Sequence, residues 1–331
     1  MTQTRRAVLR LAGGVIAAVS TLGFGAAATA QQKYPEKPIR FIVGFAPGTS
    51  TDIVARIVAD GLGQRLPHPV VVENIPGANG VRGARTVADA APDGYTILVT
   101  NTSAMTLNPL IYKDIGYDPL KDYTPIGTAV ATAALLLVNP EAPKTANVKT
   151  VEDLFKVGAT PPGLSYPSHG IGNLWHLAGA ELAHVGKFDA LHVPYSATQM
   201  RATLMAKEVD FAFDTVAAVP AVKAGQLRAL AVAAKKRWRD LPDVPTMEEL
   251  GYPSLAYSLW TGFMAPDGTP QEIVDQLQKL IVDVTQDPAL REKLMVHGDI
   301  LTMSPSELSN TIAQDLERNA VALKRANVSA M

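Results

Sequence analysis

Residues 39–62 read IRFIVGFAPGTSTDIVARIVADGL, and this stretch decides the fold class. Its first five residues are apolar apart from Arg40, which is typical of a buried strand. The apolar residues after Asp52 recur at helical spacing. A Pro-Gly break and several small polar residues lie between the two patterns. The stretch therefore predicts a strand, a tight loop and a helix, the opening of a βαβ unit.

Short strand-like runs alternate with longer amphipathic runs along most of the chain. The strand-like runs cover residues 39–45, 70–73, 96–100, 135–139, 164–166, 190–193, 211–214 and 227–233. From Thr269 onward the pattern is helical only, and Ser304, Pro305 and Glu307 have the spacing of a capped helix start. The alternation predicts an α/β fold with two lobes, each a mostly parallel sheet flanked by helices.

The chain is predicted to pass between the two lobes twice. Strand-like residues meet a glycine near residues 126–131 and again near residues 257–264. We expect one lobe to hold residues 31–128 and 258–331, and the other to hold residues 129–257. Two crossings make a two-segment hinge, and a ligand is expected in the cleft between the lobes.

The first 30 residues have the make-up of an export signal peptide. Arg5 and Arg6 precede an apolar stretch rich in alanine and glycine, which ends in an Ala-x-Ala site at residues 28–30. The paired arginines resemble a twin-arginine signal, and the alternative is a short anchoring helix that the glycines weaken. No later run has the roughly 20 apolar residues of a membrane span. We expect cleavage near Ala30, a periplasmic location and no stable membrane insertion afterwards.

Composition argues against several classes of protein. The chain has a formal net charge of −1, which is too mild to indicate a nucleic-acid partner. It has no cysteine, which excludes disulfides, thiol catalysis and cysteine-based metal sites. Nucleophile-elbow, zinc-protease and P-loop motifs are absent from the sequence, and His176 and His184 are too far apart to share a metal unaided. We therefore expect no catalytic residue, no metal and no cofactor.

Residues 44–52, called the first loop, are a candidate anion site. Backbone N–H groups at a helix start carry partial positive charge and hold anions well. The alternative is a plain helix cap by Ser50 or Thr51, with Asp52 in the first turn. The candidate ligand-binding residues in this loop are Phe45, Pro47, Gly48, Thr49, Ser50 and Asp52.

Residues 168–176, called the second loop, form another strand-to-helix junction of the same kind. Two helix N-termini, one from each lobe, could face each other across the cleft and hold an anionic group through backbone N–H groups. The candidates here are Ser168, Gly172, Asn173 and His176, although a lone histidine in a first helical turn is more often a surface residue.

Two further candidates come from strand ends. Thr102 and Ser103 follow the strand at residues 96–100, and the carboxyl ends of parallel strands are where open α/β sheets bind ligands. Asp214 closes the strand at residues 211–214. It either caps the helix that follows or faces the cleft, and the sequence leaves these two possibilities open.

Several ordered motifs resemble the periplasmic solute-binding proteins of tripartite tricarboxylate transporters, the Bug family. They are YPEKPIRFIV from residue 34, FAPG from 45, VENIPGANG from 72, APDGYT from 91, GIGNLWHLA from 170, HVPY from 192, VDFAFD from 209, LPDVPT from 241 and APDGTP from 265. The resemblance implies a type II periplasmic binding protein that closes on a small carboxylate. It also implies that backbone groups of residues 45–52 and 170–176 hold this carboxylate, while Asp52 keeps the first loop in shape.

Three positions depart from the pattern of this family. Thr49 stands where a second glycine is usual, Asn173 replaces a serine or threonine, and residues 196–200 lack glycine and are one residue short. The resemblance implies a non-enzymatic protein that captures a small organic acid and delivers it to membrane transporter subunits. The alternatives are a binding protein that serves only signalling, and a secreted hydrolase.

Overall fold

The computed structural model describes residues 34–171, 173–195, 199–234, 236–257 and 259–325. The predicted export signal, Gly172 and residues 196–198 lie outside these ranges. Within them, no helix has both the length and the apolar character needed to cross a membrane.

Strands and helices alternate largely as the sequence predicts. The strands are β1 (Ile39–Val43), β2 (Val70–Asn74), β3 (Thr96–Asn101), β4 (Tyr123–Thr132), β5 (Ala134–Val138), β6 (Leu164–Ser168), β7 (Ala190–Pro194), β8 (Phe211–Thr215), β9 (Arg228–Ala233), β10 (Leu259–Pro266) and β11 (Asp299–Ile300). The helices are α1 (Ser50–Gly63), α2 (Val81–Ala88), α3 (Thr102–Thr106), α4 (Asn108–Ile111), α5 (Val151–Gly158), α6 (Leu174–Gly186), α7 (Met200–Met205), α8 (Val219–Lys223), α9 (Gln271–Gln286), α10 (Pro288–Met295) and α11 (Pro305–Arg325). The predicted capping box at the start of α11 is confirmed, because the Glu307 N–H donates to Ser304 Oγ at 3.3 Å and the Ser304 N–H donates to Glu307 Oε2 at 2.8 Å.

The first lobe is built on a six-stranded sheet with the order β11-β4-β10-β3-β1-β2. β1 pairs in parallel with β2 and with β3, as the βαβ pattern predicts. β10 runs antiparallel to both β3 and β4, and β11 runs antiparallel to β4. The sheet is therefore mixed, not mostly parallel. The chain leaves the first lobe at the end of β4 and returns in β10, which runs in the opposite direction.

The second lobe is also mixed. β5 pairs antiparallel with β8 and with β9, while β6 and β7 form a parallel pair. Asp210 ties these two groups together, because its N–H donates to the Ser165 carbonyl at 3.0 Å and its Oδ2 accepts from the Ser165 N–H at 2.8 Å. The α/β class with two lobes is confirmed, and the expected parallel pairing holds for part of each lobe.

The chain crosses between the lobes where β4 hands over to β5. β4 stays in the first sheet as far as Thr132, and β5, which belongs to another sheet, begins at Ala134. The return crossing ends at Leu259, where β10 begins. α11 contacts both lobes, since Leu308 packs in the core of the first and Leu323 packs in the core of the second.

Candidate ligand-binding site

A cavity of about 250 Å³, called the inner cavity, lies between the two lobes. Its walls are formed by the first loop, residues 76–80, the second loop, the end of β4 and the start of β10. The predicted ligand-binding residues that line it are Phe45, Thr49, Ser50, Ser103 and Asn173. The structure thus brings residues from both loops and from the end of β3 to one place.

The first loop leads into a helix start without a side-chain cap. Thr49 occupies the N-cap position of α1, yet its side chain accepts no capping hydrogen bond from the described residues. Its hydroxyl donates instead to the Ala46 carbonyl at 2.9 Å. The prediction that Ser50 or Thr51 caps the helix is wrong, because the helix already includes both residues. Ser50 and Thr51 line the inner cavity, so the positive end of α1 is available to an anion.

The buried side chain of Asp52 holds the first loop in shape through hydrogen bonds. It is 1% exposed, and its Oδ2 accepts from the Gly48 N–H at 2.8 Å and from Arg56 Nε at 3.1 Å. Its Oδ1 accepts from Asn74 Nδ2 at 2.8 Å, and the same nitrogen donates to the Phe45 carbonyl at 3.0 Å. Burial alone would raise the pKa of Asp52, but the hydrogen bonds from Arg56, Gly48 and Asn74 outweigh it and hold the pKa below its ordinary value.

This arrangement gives Asp52 a bracing role and not a place in the cavity wall. Among the described residues that line the cleft, Pro47 and Gly48 from the same loop are present but Asp52 is absent. Gly48 adopts a φ of +83°, a left-handed conformation that favours glycine at this turn.

The second loop is capped by a residue that also reaches the first lobe. Asn173 Oδ1 accepts from the Trp175 N–H at 2.9 Å, which caps α6. Asn173 Nδ2 donates to Asn79 Oδ1 of the first lobe at 3.4 Å. Asn79 in turn donates to Asn108 Oδ1 at 2.9 Å. A chain of amide side chains therefore links the second loop to the first lobe beside the inner cavity.

Ser168 and His176, at the two ends of the second loop, contact His192. Ser168 is fully buried; its Oγ donates to the Gly170 carbonyl at 2.8 Å and lies 2.6 Å from His192 Nε2. The His176 and His192 rings stack with centroids 3.9 Å apart. Burial, reinforced by the neighbouring His176, lowers the pKa of His192 to about 4, and burial lowers the pKa of His176 as well. In the described part of the chain, neither Ser168 nor His176 belongs to the cavity wall.

The end of β3 has two separate roles. Ser103 lines the inner cavity, whereas the Thr102 hydroxyl accepts from the Trp260 N–H at 3.1 Å and so holds the start of β10. Asn101 caps α3 by accepting from the Ala104 N–H at 3.2 Å, and its Nδ2 donates to Thr51 Oγ1 at 3.3 Å. This last bond ties the starts of α1 and α3 together.

An adjoining cavity of about 400 Å³, called the outer cavity, shares Thr49, Ser50 and His169 with the inner cavity. Asp214 lines it and is paired with Arg201, whose Nε donates to Asp214 Oδ2 at 2.7 Å. Asp214 Oδ1 accepts from the Thr215 N–H at 2.7 Å. Of the two possibilities left open for Asp214, the structure shows the one that faces the cleft, and Thr215 caps the following turn instead.

Sequence reasoning missed several residues of the cleft. Asn79 belongs to the short Gly-Ala-Asn-Gly segment, whose glycines were a usable signal for a backbone close to a ligand. Trp175 and Trp260 supply apolar walls to the inner cavity, and Arg201 and His297 line the outer one. These four carry no local signature, because the fold brings them together from distant parts of the chain.

Elsewhere in the described part of the chain, the candidates for a ligand or metal site are weaker. A shallow depression of about 490 Å³ lies on the second lobe beside Gly158, Lys187 and Asp189, and it includes none of the predicted ligand-binding residues. In the ranges that the structure describes, no group of three or more histidine, aspartate or glutamate side chains is placed to hold a metal ion.

Two α/β lobes joined by two crossings around a cleft are the architecture of a periplasmic solute-binding protein. The sequence profile described as "Tripartite tricarboxylate transporter family receptor" matches residues 54–328. A UPF0065 protein of Bordetella pertussis is 35% identical over 290 residues, which are 86% of this chain and 85% of that protein. This chain therefore belongs to the tripartite tricarboxylate transporter receptor family, a family of substrate-binding proteins.

Solved structures agree with this assignment. The periplasmic binding protein BugD is 32% identical, with a TM-score of 0.79 over 90% of this chain and 100% of that one. A Rhodopseudomonas palustris protein solved with adipate is 28% identical, with a TM-score of 0.81 over 90% of this chain and 100% of that one.

Proposed function

We propose that this protein captures a small organic carboxylate in the inner cavity, in the periplasm, and delivers it to membrane transporter subunits. The observation that carries the proposal is the start of α1, which lies in the wall of an interlobe cavity without a side-chain cap. A carboxylate there would receive hydrogen bonds from backbone N–H groups and the favourable field of the helix dipole. The adipate-bound relative supports a carboxylate as the ligand class.

We propose separate roles for the residues of the site. Thr49, Ser50, Ser103 and Asn173 would contact the ligand and Phe45 would pack against it, since all five line the inner cavity. Pro47, Gly48 and Asp52 would shape the first loop, while Thr102, Ser168 and His176 would support neighbouring segments. Asp214 would act through Arg201, and Gly172, which lies outside the described residues, stays a prediction.

Binding would be coupled to closure of the lobes. We propose that the lobes move about the crossing at Ala133 and the crossing just before Leu259, which refines the boundaries expected near residues 128 and 258. Contacts between lobes already exist in this arrangement: Asn173 reaches Asn79, and Arg239 Nη1 lies 2.7 Å from Asp299 Oδ1. A ligand that touches both loops stabilises the closed form, because its full set of contacts exists only there.

We propose binding without catalysis. A hydrolase would need an accessible nucleophile beside a base. Ser168 does lie close to His192, but it is fully buried and, within the described chain, it is not part of either cavity wall. A role in signalling alone would use the same site, and it differs only in the partner that reads the closed form.

The first test is a thermal-shift screen with mono-, di- and tricarboxylates, each paired with its neutral amide. We expect a carboxylate, but not its amide, to raise the melting temperature, because a ligand at 100 times its dissociation constant adds about 2.7 kcal/mol of stability. A screen in which the amides stabilise the protein as well as the acids do would contradict an anion site.

The second test removes one backbone donor at the start of α1. Ser50→Pro deletes the Ser50 N–H, and the helix should tolerate it because proline suits the first helical position and Thr49 is already extended, with φ −71° and ψ 158°. Ser50→Ala is the matched control, since it deletes the hydroxyl and keeps the N–H. We expect calorimetry to show at least about a tenfold loss of carboxylate affinity in S50P and a smaller loss in S50A. Equal affinities in the two variants would rule out this N–H as a ligand contact.

A further inference from the structure

The outer cavity carries one permanently charged base, Arg201, whose side chain is 34% exposed. Its Nε donates to Asp214, which uses one edge of the guanidinium and leaves the other edge, with Nη1 and Nη2, toward other acceptors. Among the residues that the structure describes, no side-chain or backbone oxygen accepts from these two nitrogens. A planar pair of N–H groups matches the two oxygens of a carboxylate.

Asp214 is less accessible than the arginine that it holds. Its side chain is 14% exposed, and both of its oxygens already accept hydrogen bonds, one from Arg201 and one from the Thr215 N–H. A ligand entering the outer cavity therefore meets the guanidinium before the carboxylate. This difference favours an anionic group over an ammonium group as the part of the ligand that lies there.

The outer cavity adjoins the proposed carboxylate site and shares part of its wall. Thr49 and Ser50, at the start of α1, line both cavities, and His169 faces both from the second lobe. The inner cavity, at about 250 Å³, is slightly below the usual range for ligand pockets of about 300–1,000 Å³, whereas the two together fall within it. One ligand can thus place one end at α1 and the other end beside Arg201.

We propose that Arg201 is a specificity-determining residue that binds a second anionic group of the ligand, so that this protein selects dicarboxylates over monocarboxylates. Asp214 is a positioning residue, because it fixes the Nε edge and so aims the other edge at the ligand. This inference rests on the proposed function, since it assumes that a first carboxylate is held at the start of α1.

The test compares matched ligands in calorimetry: succinate, glutarate and adipate, each with its monoamide and with the ω-amino acid of the same length. The monoamide keeps the first carboxylate and replaces the second with a neutral group. We expect the best dicarboxylate to bind at least about tenfold more tightly than its monoamide, and the ω-amino acid to bind no better than the monoamide.

Arg201→Gln should remove this preference. We expect the dicarboxylate to bind R201Q about as weakly as the monoamide does, while the affinity for the monoamide stays within about twofold of the wild-type value. Arg237→Gln is the control for the change in net charge, since Arg237 pairs with Glu249 on the surface and is 45% exposed. Arg201→Lys should give an intermediate preference because it keeps the charge and loses the planar pair, and it serves as the second variant if R201Q folds poorly.

Asp214→Asn tests the positioning role, and it should reduce the preference without abolishing it. An unchanged ratio of dicarboxylate to monoamide affinity in both R201Q and R201K would overturn the inference, and so would tighter binding of the amino acids. Either result, with the monoamides still bound, would leave the proposed function standing. A wild-type protein that binds none of the carboxylates would overturn both.

Discussion

The two loops that meet at the inner cavity are built in opposite ways. In the first loop, the start of α1 has no side-chain cap and a buried carboxylate, Asp52, holds the turn from behind. In the second loop, Asn173 caps α6 itself, and His192, which contacts Ser168 of this loop, is neutral at pH 7. No side chain caps the first turn of α1, whereas Asn173 satisfies the Trp175 N–H at the start of α6 and offers a side-chain amide. We therefore expect the first loop to provide most of the binding free energy for an anion.

The largest effect should come from Asp52→Asn. The neighbours of Asp52 are all donors, from Gly48, Arg56 and Asn74, so an amide nitrogen in place of an oxygen opposes one of them. We expect a loss of about 2 kcal/mol in the free energy of unfolding, since hydrogen bonds to charged groups contribute about 1.5–3 kcal/mol. Carboxylate affinity should fall at least about tenfold, because the loop that presents the N–H groups loses its support.

Glu73→Gln is the matched control for this change. Glu73 pairs with Arg40 at 2.7 Å, but both side chains are almost half exposed, so the pair should contribute less than about 1 kcal/mol. Urea denaturation and calorimetry on both variants provide the measurement. If D52N bound carboxylates as tightly as E73Q does, the first loop would not depend on Asp52 for its binding geometry.

Asn173 should have a smaller effect, and two variants separate its two contacts. Asn173→Ala removes both the cap on α6 and the reach to Asn79, which should lower stability by about 1 kcal/mol. Asn173→Ser keeps a capping oxygen but is too short to reach Asn79, so its stability should stay close to that of the wild type. We expect affinity losses of roughly threefold in both variants, because both lose the side-chain amide that lines the inner cavity and links the lobes.

A double-mutant cycle with Asn79→Ala checks this assignment. The contact between Asn173 and Asn79 is long, at 3.4 Å, so a coupling energy near the lower limit for hydrogen bonds, about 0.5 kcal/mol, is expected. Additive effects on ligand affinity would mean that the contact between Asn173 and Asn79 does not contribute to closure.

The sequence predicted the local elements well because their causes are local. Strand and helix patterns, the two strand-to-helix loops and the capping box at Ser304 all depend on residues close together in the chain. The cap of α1 was misplaced because several hydroxyl residues follow one another there. The turn that leads into the N-cap is held by Asp52 and Asn74, which are 22 residues apart and meet only in the folded protein.

The outer half of the cleft was not predictable for the same reason. Asp214 could be singled out at a strand end, but its partner Arg201 lies on another element and His297 comes from the far end of the chain. The mixed pairing of the sheets likewise follows from the two crossings between lobes, which reverse the direction of β10 relative to β4. Such pairings depend on topology, and a single sequence carries little local signal for them.

The smallest effect on ligand binding should come from lowering the pH, which should reduce the stability of the protein through His192 and leave Asp52 in the first loop ionised. The pKa of His192 is lowered to about 4 from an ordinary value of 6.5, because the ring is buried and stacks on His176. Between these two pH values the unfolded chain binds a proton that the folded protein does not, so stability falls as the pH drops from 6.5 toward 4. The pKa of Asp52 is lowered from 3.8, so its contribution is lost only below that pH.

Urea denaturation at pH 7.0, 5.5 and 4.5 tests this difference. We expect His192 to account for a loss on the order of 1 kcal/mol, which is less than its full pKa shift would give because the ring is partly exposed to solvent. His192→Gln should flatten the decline, whereas His184→Gln, at an exposed position on α6, should leave it unchanged. Carboxylate affinity at pH 5.5 should stay close to its value at pH 7.0, because Asp52 remains ionised there and keeps the first loop in shape. The opposite result would be a carboxylate affinity that falls together with stability in the wild type but not in H192Q. That result would mean that the second loop, and not the first, provides most of the binding free energy for the anion.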